Sequence, residues 1–209
     1  MRIIAGKNRG RIIKAPRNLP VRPTTDMAKE ALFNILENRY YIEKKKILDL
    51  FSGTGNIAFE FASRGAKHII AVEKHFHCYN FITKTASEIN YNIDARHMDC
   101  LDFLKKTKAK FDIIFADPPY DFKHYKELKD IILQKEIINT DGCLIIEHDA
   151  NTKFQKENTE LRKYGSVHFS IFTQMLSGYL CRPKFKSLTS SSFYFISKYN
   201  ESLFEVFIF

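Results

Sequence analysis

The residues with most chemistry to offer stand together in Phe115-Ala116-Asp117-Pro118-Pro119-Tyr120. Consecutive prolines deny the chain both a helix and a ladder donor, so they build a stiff, extended corner. That corner leaves backbone carbonyls outside secondary structure, beside the Asp117 carboxylate and one step ahead of an aromatic ring. An exocyclic amine on a heteroaromatic base is a poor nucleophile, because its lone pair is delocalised into the ring. Acceptors on both of its N–H bonds, here the Asp117 carboxylate and the Pro118 carbonyl, would aim the lone pair at an electrophile. They would also favour the positive charge that grows on nitrogen. The methyl group of S-adenosylmethionine is the electrophile that suits this arrangement, and no metal or covalent intermediate is required. Tyr120 would give a stacking face to a base taken out of its helix. Read alone, the same residues are also compatible with an ordinary turn.

A second constellation lies upstream. The apolar run Ile47–Phe51 leads into Asp49-Leu50-Phe51-Ser52-Gly53-Thr54-Gly55-Asn56, and a helical pattern follows. Gly53 and Gly55 let the backbone turn tightly and approach a ligand without Cβ interference. Ala58 occupies the third glycine position of a dinucleotide fingerprint, and no Gly-Lys-Ser/Thr of a Walker loop follows. The next strand ends at Glu73, an acid placed to accept hydrogen bonds from a ribose diol. That carboxylate does not choose between a nicotinamide dinucleotide and S-adenosylmethionine. Asp99, in His97-Met98-Asp99-Cys100, is read as the end of a third short strand, within reach of an adenine amino group.

These residues need a scaffold that brings strand ends together. Apolar runs at Ile47–Phe51, His68–Glu73, Phe111–Asp117 and Cys143–Glu147 alternate with helical patterns at Ile57–Ser63, Tyr79–Ile89 and Tyr125–Leu133. Such alternation predicts an α/β fold, a mostly parallel, doubly wound sheet with helices on both faces. Ligands on these sheets bind beyond the carboxyl ends of the strands, where strand order reverses. Ahead of this part, Arg2–Ile4 and Arg11–Lys14 suggest a small β-hairpin. The prolines of Leu19-Pro20-Val21-Arg22-Pro23 require extended chain. Thr25 or Asp26 can cap a helix whose Ala28, Ala31, Leu32, Ile35 and Leu36 share one face. The organisation expected is a basic hairpin-and-helix extension over 1–45, a catalytic domain over 46–172 and a tail over 173–209.

Composition narrows the partners. The 209 residues carry a net charge of +9, of which residues 1–46 contribute twelve Lys/Arg against four Asp/Glu. The first 25 residues hold seven cations and no acid, whereas 47–172 is close to neutral. A neutral body with a basic front end suits a phosphate backbone. A terminus that is basic only for solubility is the plainer alternative. No apolar run approaches the roughly 18–20 residues of a membrane span, and Met1–Arg11 lacks the apolar core of a signal peptide. The four cysteines form no CxxC pair, which predicts reduced thiols in a cytoplasmic protein. His75, His77 and Cys78 cluster without a fourth partner at metal spacing, so no metal site is expected. His148 reads as a supporting or surface group, and Lys44–Lys46 as a solvated helix end.

With these residues in view, the chain resembles the RsmD-type family, bacterial methyltransferases acting on guanine N2 of small-subunit ribosomal RNA. The segments that carry the resemblance are Met1-Arg-Ile-Ile-Ala-Gly6, Gly10-Arg11, Arg22-Pro-Thr-Thr-Asp26, Lys29-Glu-Ala-Leu-Phe33, Leu48-Asp-Leu-Phe-Ser-Gly-Thr-Gly55 and Asp117-Pro-Pro-Tyr120. Asp-Pro-Pro-Tyr alone is shared with DNA adenine methyltransferases; the Arg-Pro-Thr-Thr-Asp segment makes the match specific. The resemblance covers roughly 1–172 and ends in Tyr164–Phe172, which looks like the family's final strand. It implies a Rossmann-like, class I S-adenosylmethionine-dependent fold. It also implies that Asp117, Pro118 and Tyr120 hold the base, while Asp49, Gly53, Gly55, Glu73 and Asp99 hold S-adenosylmethionine. Arg22, Thr24 and Asp26 would line the target side, and Arg9 and Arg11 would meet RNA phosphates. The implied partner is ribosomal RNA within the assembled 30S subunit, met by a monomer. The tail over 173–209 has no counterpart in the family. An adenine-N6 methyltransferase would need a target-recognition region, and none of useful size precedes Phe172. A non-catalytic RNA-binding module would have lost Asp117 or the glycine turn, and both are present.

Overall fold

In the computed structural model, residues 1–16, 19, 25–119, 121–154 and 159–173 are described below. Five strands run parallel: β1 (Lys46–Leu50), β2 (His68–Glu73), β3 (Ile93–His97), β4 (Phe111–Ala116) and β5 (Ile138–His148). Two more, β6 (Thr159–Tyr164) and β7 (Val167–Thr173), form a hairpin, and β7 joins β5 antiparallel. The strand order is β3-β2-β1-β4-β5-β7-β6, so it reverses between β1 and β4.

Helices α1 (Asp26–Arg39), α2 (Asn56–Ser63) and α3 (Phe76–Glu88) cover one face, and α4 (Cys100–Lys106) and α5 (Tyr125–Gln134) the other. Successive strand residues point to opposite faces, and β1 shows it. Ile47 joins the core with Phe33, Phe59 and Ile82, whereas Leu48 joins the core with Leu104, Leu128 and Ile132. Strands buried on both faces read as unbroken apolar runs, which is why these elements are visible in the sequence.

The N-terminal segment is fixed to α2 by polar groups. Ile3 N–H donates to the Arg11 carbonyl at 2.9 Å and Ile13 N–H to the Met1 carbonyl at 2.9 Å, a hairpin with a single bridge at Arg2–Ile12. Glu60, fully buried, accepts the N–H groups of Ile4 at 2.8 Å and Ala5 at 3.0 Å. It also receives Arg64 Nε at 2.9 Å and faces Lys29 Nζ at 3.5 Å. Lys29 in turn donates to the Arg2 carbonyl and to Asn56 Oδ1. Burial lowers the Lys29 pKa, and the Glu60 charge opposes that shift. Removing one member of such a network strands a buried charge, at a cost of about 3–5 kcal/mol.

Several elements differ from their expected outlines. Asp99 does not end the third strand: β3 stops at His97, and Asp99 Oδ1 accepts the Leu101 and Asp102 N–H groups as the cap of α4. The final strand is a hairpin, because Gly165 at φ +59° turns the chain between β6 and β7. Lys46 opens β1 rather than ending a helix. Thr25 is the α1 cap, its Oγ1 accepting Ala28 N–H at 3.3 Å. The tail beyond Thr173 and the proline segment Pro20–Pro23 lie outside the described residues.

Two glycines test the docking of the hairpin. Gly6 and Gly10 both sit at φ +83°, but a Cβ on Gly6 would stand 1.9 Å from the Ser63 carbonyl oxygen, whereas Gly10 has nothing within 4 Å. Gly10→Ala should therefore cost only the left-handed strain, about 1 kcal/mol. Gly6→Ala should cost about 3 kcal/mol or more, because the hairpin must lift from α2. Urea unfolding of the two variants measures the difference, and equal costs would contradict this docking.

Candidate active site

Parallel pairing sets three strand ends at one level. Leu50 lies beside Val72 on one side and Ala116 on the other. Past these ends, Ser52 N–H donates to the Val72 carbonyl at 3.1 Å, and Met98 N–H to the Glu73 carbonyl at 3.1 Å. The chain after β1 turns at once: Phe51, Gly53 and Gly55 have φ of +59°, +54° and +77°. A phenylalanine in that region is a strained residue. Its ring is held edge-on by Phe122 at 5.1 Å. Gly55 then caps α2, where a Cβ would press to 2.9 Å from the Phe59 ring.

Glu73 fixes this turn. Its Oε2 accepts Gly53 N–H at 2.8 Å and its Oε1 accepts His75 N–H at 2.7 Å. Each carboxylate oxygen carries two lone-pair directions, so one remains on each for a further donor. Asp49, fully enclosed, accepts Ala58 N–H at 3.1 Å from the first turn of α2. Burial pushes its carboxyl up to about 8, against the Ser52 hydroxyl and the Ala58 N–H, which favour the ionised form. Asp117 stands directly after β4, its own N–H donating to the Leu50 carbonyl at 3.4 Å. Removal from bulk water pushes Asp117 up to about 7.

A cavity of about 440 Å³ opens over these strand ends, within the roughly 300–1,000 Å³ of small-molecule sites. Asp49, Gly53, Glu73, Asp99, Asp117 and Pro118 all line it. Gly55, the cap of α2, is not among its lining residues. Its lining also holds a buried ring nitrogen, His75 Nδ1, without a hydrogen-bond partner. A nucleoside-sized, partly charged molecule fits this donor and acceptor set. Arg9 and Arg11 are exposed on the hairpin. Asp26 is paired with Arg2 at 3.0 Å, and its neighbour Thr25 lines the cavity instead. Arg22, Thr24 and Tyr120 lie outside the described residues.

Other wall residues escape sequence reasoning. Phe51, His75, Tyr125 and Glu147 line the cavity; Phe51, His75 and Glu147 stand within two residues of a strand end, the one signal that could have found them, whereas Tyr125 opens α5. His148 is buried in the same wall, its ring nitrogens paired with Ser170 Oγ at 2.8 Å and the Asp149 carbonyl at 2.7 Å. Among the described residues no group of three or more His, Cys, Asp or Glu could hold a metal ion. No helix among them is long and apolar enough to cross a membrane.

Comparison with known proteins places this architecture in a family. The family described as Conserved hypothetical protein 95 matches residues 1–173. Ribosomal RNA small subunit methyltransferase D of Buchnera aphidicola subsp. Acyrthosiphon pisum is 32% identical over 181 residues, 85% of this chain and 91% of that protein. YlbH of Bacillus subtilis is 33% identical over 156 residues, 71% of this chain and 83% of its own length. Among solved structures, the hypothetical protein TTHA0928 of Thermus thermophilus superposes with a TM-score of 0.74 at 25% identity, covering 82% of this chain and 98% of that one. The chain belongs to this family, that of the ribosomal RNA small subunit methyltransferase D proteins, and its fold is that of the class I S-adenosylmethionine-dependent methyltransferases.

Proposed function

We propose that this chain transfers a methyl group from S-adenosylmethionine to N2 of a guanine in small-subunit ribosomal RNA. Its substrate is the assembled 30S subunit, which it meets as a monomer in the cytoplasm. Residues 1–45 grip RNA and residues 46–172 carry the chemistry; 173–209 receive no role. One observation carries the reading: the Glu73-braced glycine turn and Asp117-Pro118 line the same cavity.

When bound, S-adenosylmethionine supplies an electrophilic methyl on a positively charged sulfur. Glu73 would accept the ribose hydroxyls on the lone pairs left by Gly53 and His75, and the turn at Gly53 would admit the ligand without a side chain in the way. Asp49 holds the start of α2 at the angle that keeps this turn in place. Asp99 borders the adenine end. The Asp117 carboxylate and Pro118 carbonyl accept the two N–H bonds of the guanine amine, and Tyr120 stacks on the base. Once methylated, the amine nitrogen would be positive and would have one proton to lose. Asp117, with its raised pKa, is placed to take it. Arg22, Thr24 and Asp26 border the target, and Arg9 and Arg11 meet phosphates.

Incubating undermethylated 30S subunits with this chain and a labelled donor should put label into N2-methylguanine, as read by nucleoside mass spectrometry. Label in N6-methyladenine would contradict the assignment. Asp117→Asn should lower turnover about a hundredfold or more. Activity needs the ionised carboxylate, so kcat/KM should rise with pH through about 7. A flat profile from pH 6 to 8 would remove Asp117 from the rate-determining chemistry. The stability sign is opposite. With its folded pKa raised above 3.8, Asp117 contributes stability fully below that value and loses it as pH rises through about 7. Asp117→Asn should therefore melt higher than the parent at pH 8, with the gap closing toward pH 4. Arg9→Ala with Arg11→Ala should reduce the slope of log affinity against log salt by roughly 1.5. An unchanged slope would take both arginines out of the interface.

A further inference from the structure

The start of α3 presents aromatic rings to solvent that neither the core nor the cavity uses. Phe76 is 53% exposed. Around it stand His97 at 5.4 Å, His77 at 5.9 Å and Tyr79 at 6.4 Å between ring centroids, and Tyr79 stacks on His97 at 5.5 Å. His97 Nε2 lies 3.0 Å from the Lys74 carbonyl oxygen, which ties β3 to the chain leading into α3. Lys74 and His75, the residues just before Phe76, line the cavity, so the cluster adjoins its wall.

On its other side the cluster meets a groove. His77, Asn80 and Lys84 on α3 face Arg11 and Lys14 of the N-terminal segment across it. Arg11, Lys14 and Lys84 are its cations; Glu88, the sole carboxylate among the described lining residues, pairs with Lys84 at 3.9 Å, which leaves Arg11 and Lys14 for phosphates. Ile12, which also lines it, is 66% exposed. Leu19 borders the groove and Thr25 the cavity. The surface thus runs from phosphate-seeking cations, past exposed rings, to the wall of the cavity. Interleaved cations and ring faces are the chemistry of a single-stranded nucleic-acid path, where each base finds a face and the backbone finds charge. Ile12, Phe81 and Ile89 also line the groove, where apolar base faces can pack, while the exposed Arg11 and Lys14 are open to phosphates.

We propose that this surface holds the unpaired RNA strand flanking the target guanine, with a neighbouring base stacked on Phe76 and the phosphates running along the groove toward Arg11. The inference rests on the function proposed above. Phe76 touches neither reacting group, so its removal should act on RNA capture. Phe76→Ala should raise KM for 30S subunits about tenfold with kcat within about twofold, and Phe76→Trp should restore KM. Phe76→p-benzoylphenylalanine, irradiated with the subunit, should crosslink to ribosomal RNA near the methylated guanine. An unchanged KM in Phe76→Ala, with methylation intact, would overturn the surface alone, as would crosslinks confined to a ribosomal protein. A parent chain that methylates no guanine would overturn the underlying function and this path with it.

Discussion

The parallel register of β1 with β2 and β4 is the constraint on which the site depends. A parallel ladder leaves all its strand ends pointing the same way, and here it sets Leu50, Val72 and Ala116 at one level. The glycine turn, Glu73 and Asp117 follow those residues directly, so the sheet aligns them before any side chain makes a contact. A one-residue slip would reverse every side chain of a strand. Each of these strands is buried on both faces, so slippage would carry the site and both cores away together. The precision of the site is a by-product of a register that packing already enforces.

What the sheet cannot do is keep charged groups in a dry wall, and local bonds do that. Asp49 is held by the N-terminus of α2, Glu73 by two backbone N–H groups, and Phe51 in a strained conformation by the turn and by Phe122. Buried carboxylates and a left-handed phenylalanine cost stability, the usual sign of a site kept for chemistry. The hairpin is fastened by a comparable device, the Lys29–Glu60–Arg64 network, which reaches the cavity wall through Asn56. A buried ion network is weak evidence of net stabilisation, but it is demanding about geometry. It ties the basic N-terminus to the element that the glycine turn begins.

The parts legible in the sequence are those written in local chemistry. Apolar runs gave β1, β2 and β4 because strands buried on both sides need no polar alternation. Asp117-Pro-Pro-Tyr and the paired glycines stood out because few other roles require those residues in that order. Asp99 was misplaced by one element: a carboxylate after a short strand can end it or cap the following helix, and the periodicity of α4, only seven residues long, was too short to decide. The β6–β7 hairpin was hidden because the solvent-facing β6, Thr-Glu-Leu-Arg-Lys-Tyr, lacks an apolar run. Tyr125 reaches the cavity from the start of α5 through tertiary placement that no spacing rule records. The role of Lys29 as a buried cation was equally invisible, since lysine in a helix ordinarily faces water.

The central claim is that the corner after β4 presents two oxygen acceptors to a base amine facing the methyl donor. A crystal structure of the chain with S-adenosylhomocysteine and a guanosine-containing RNA tests it most directly. The guanine N2 should lie about 3 Å from both an Asp117 carboxylate oxygen and the Pro118 carbonyl oxygen, with the ligand's ribose on Glu73. A base bound elsewhere, or a Pro118 carbonyl turned away from the cavity, would contradict it.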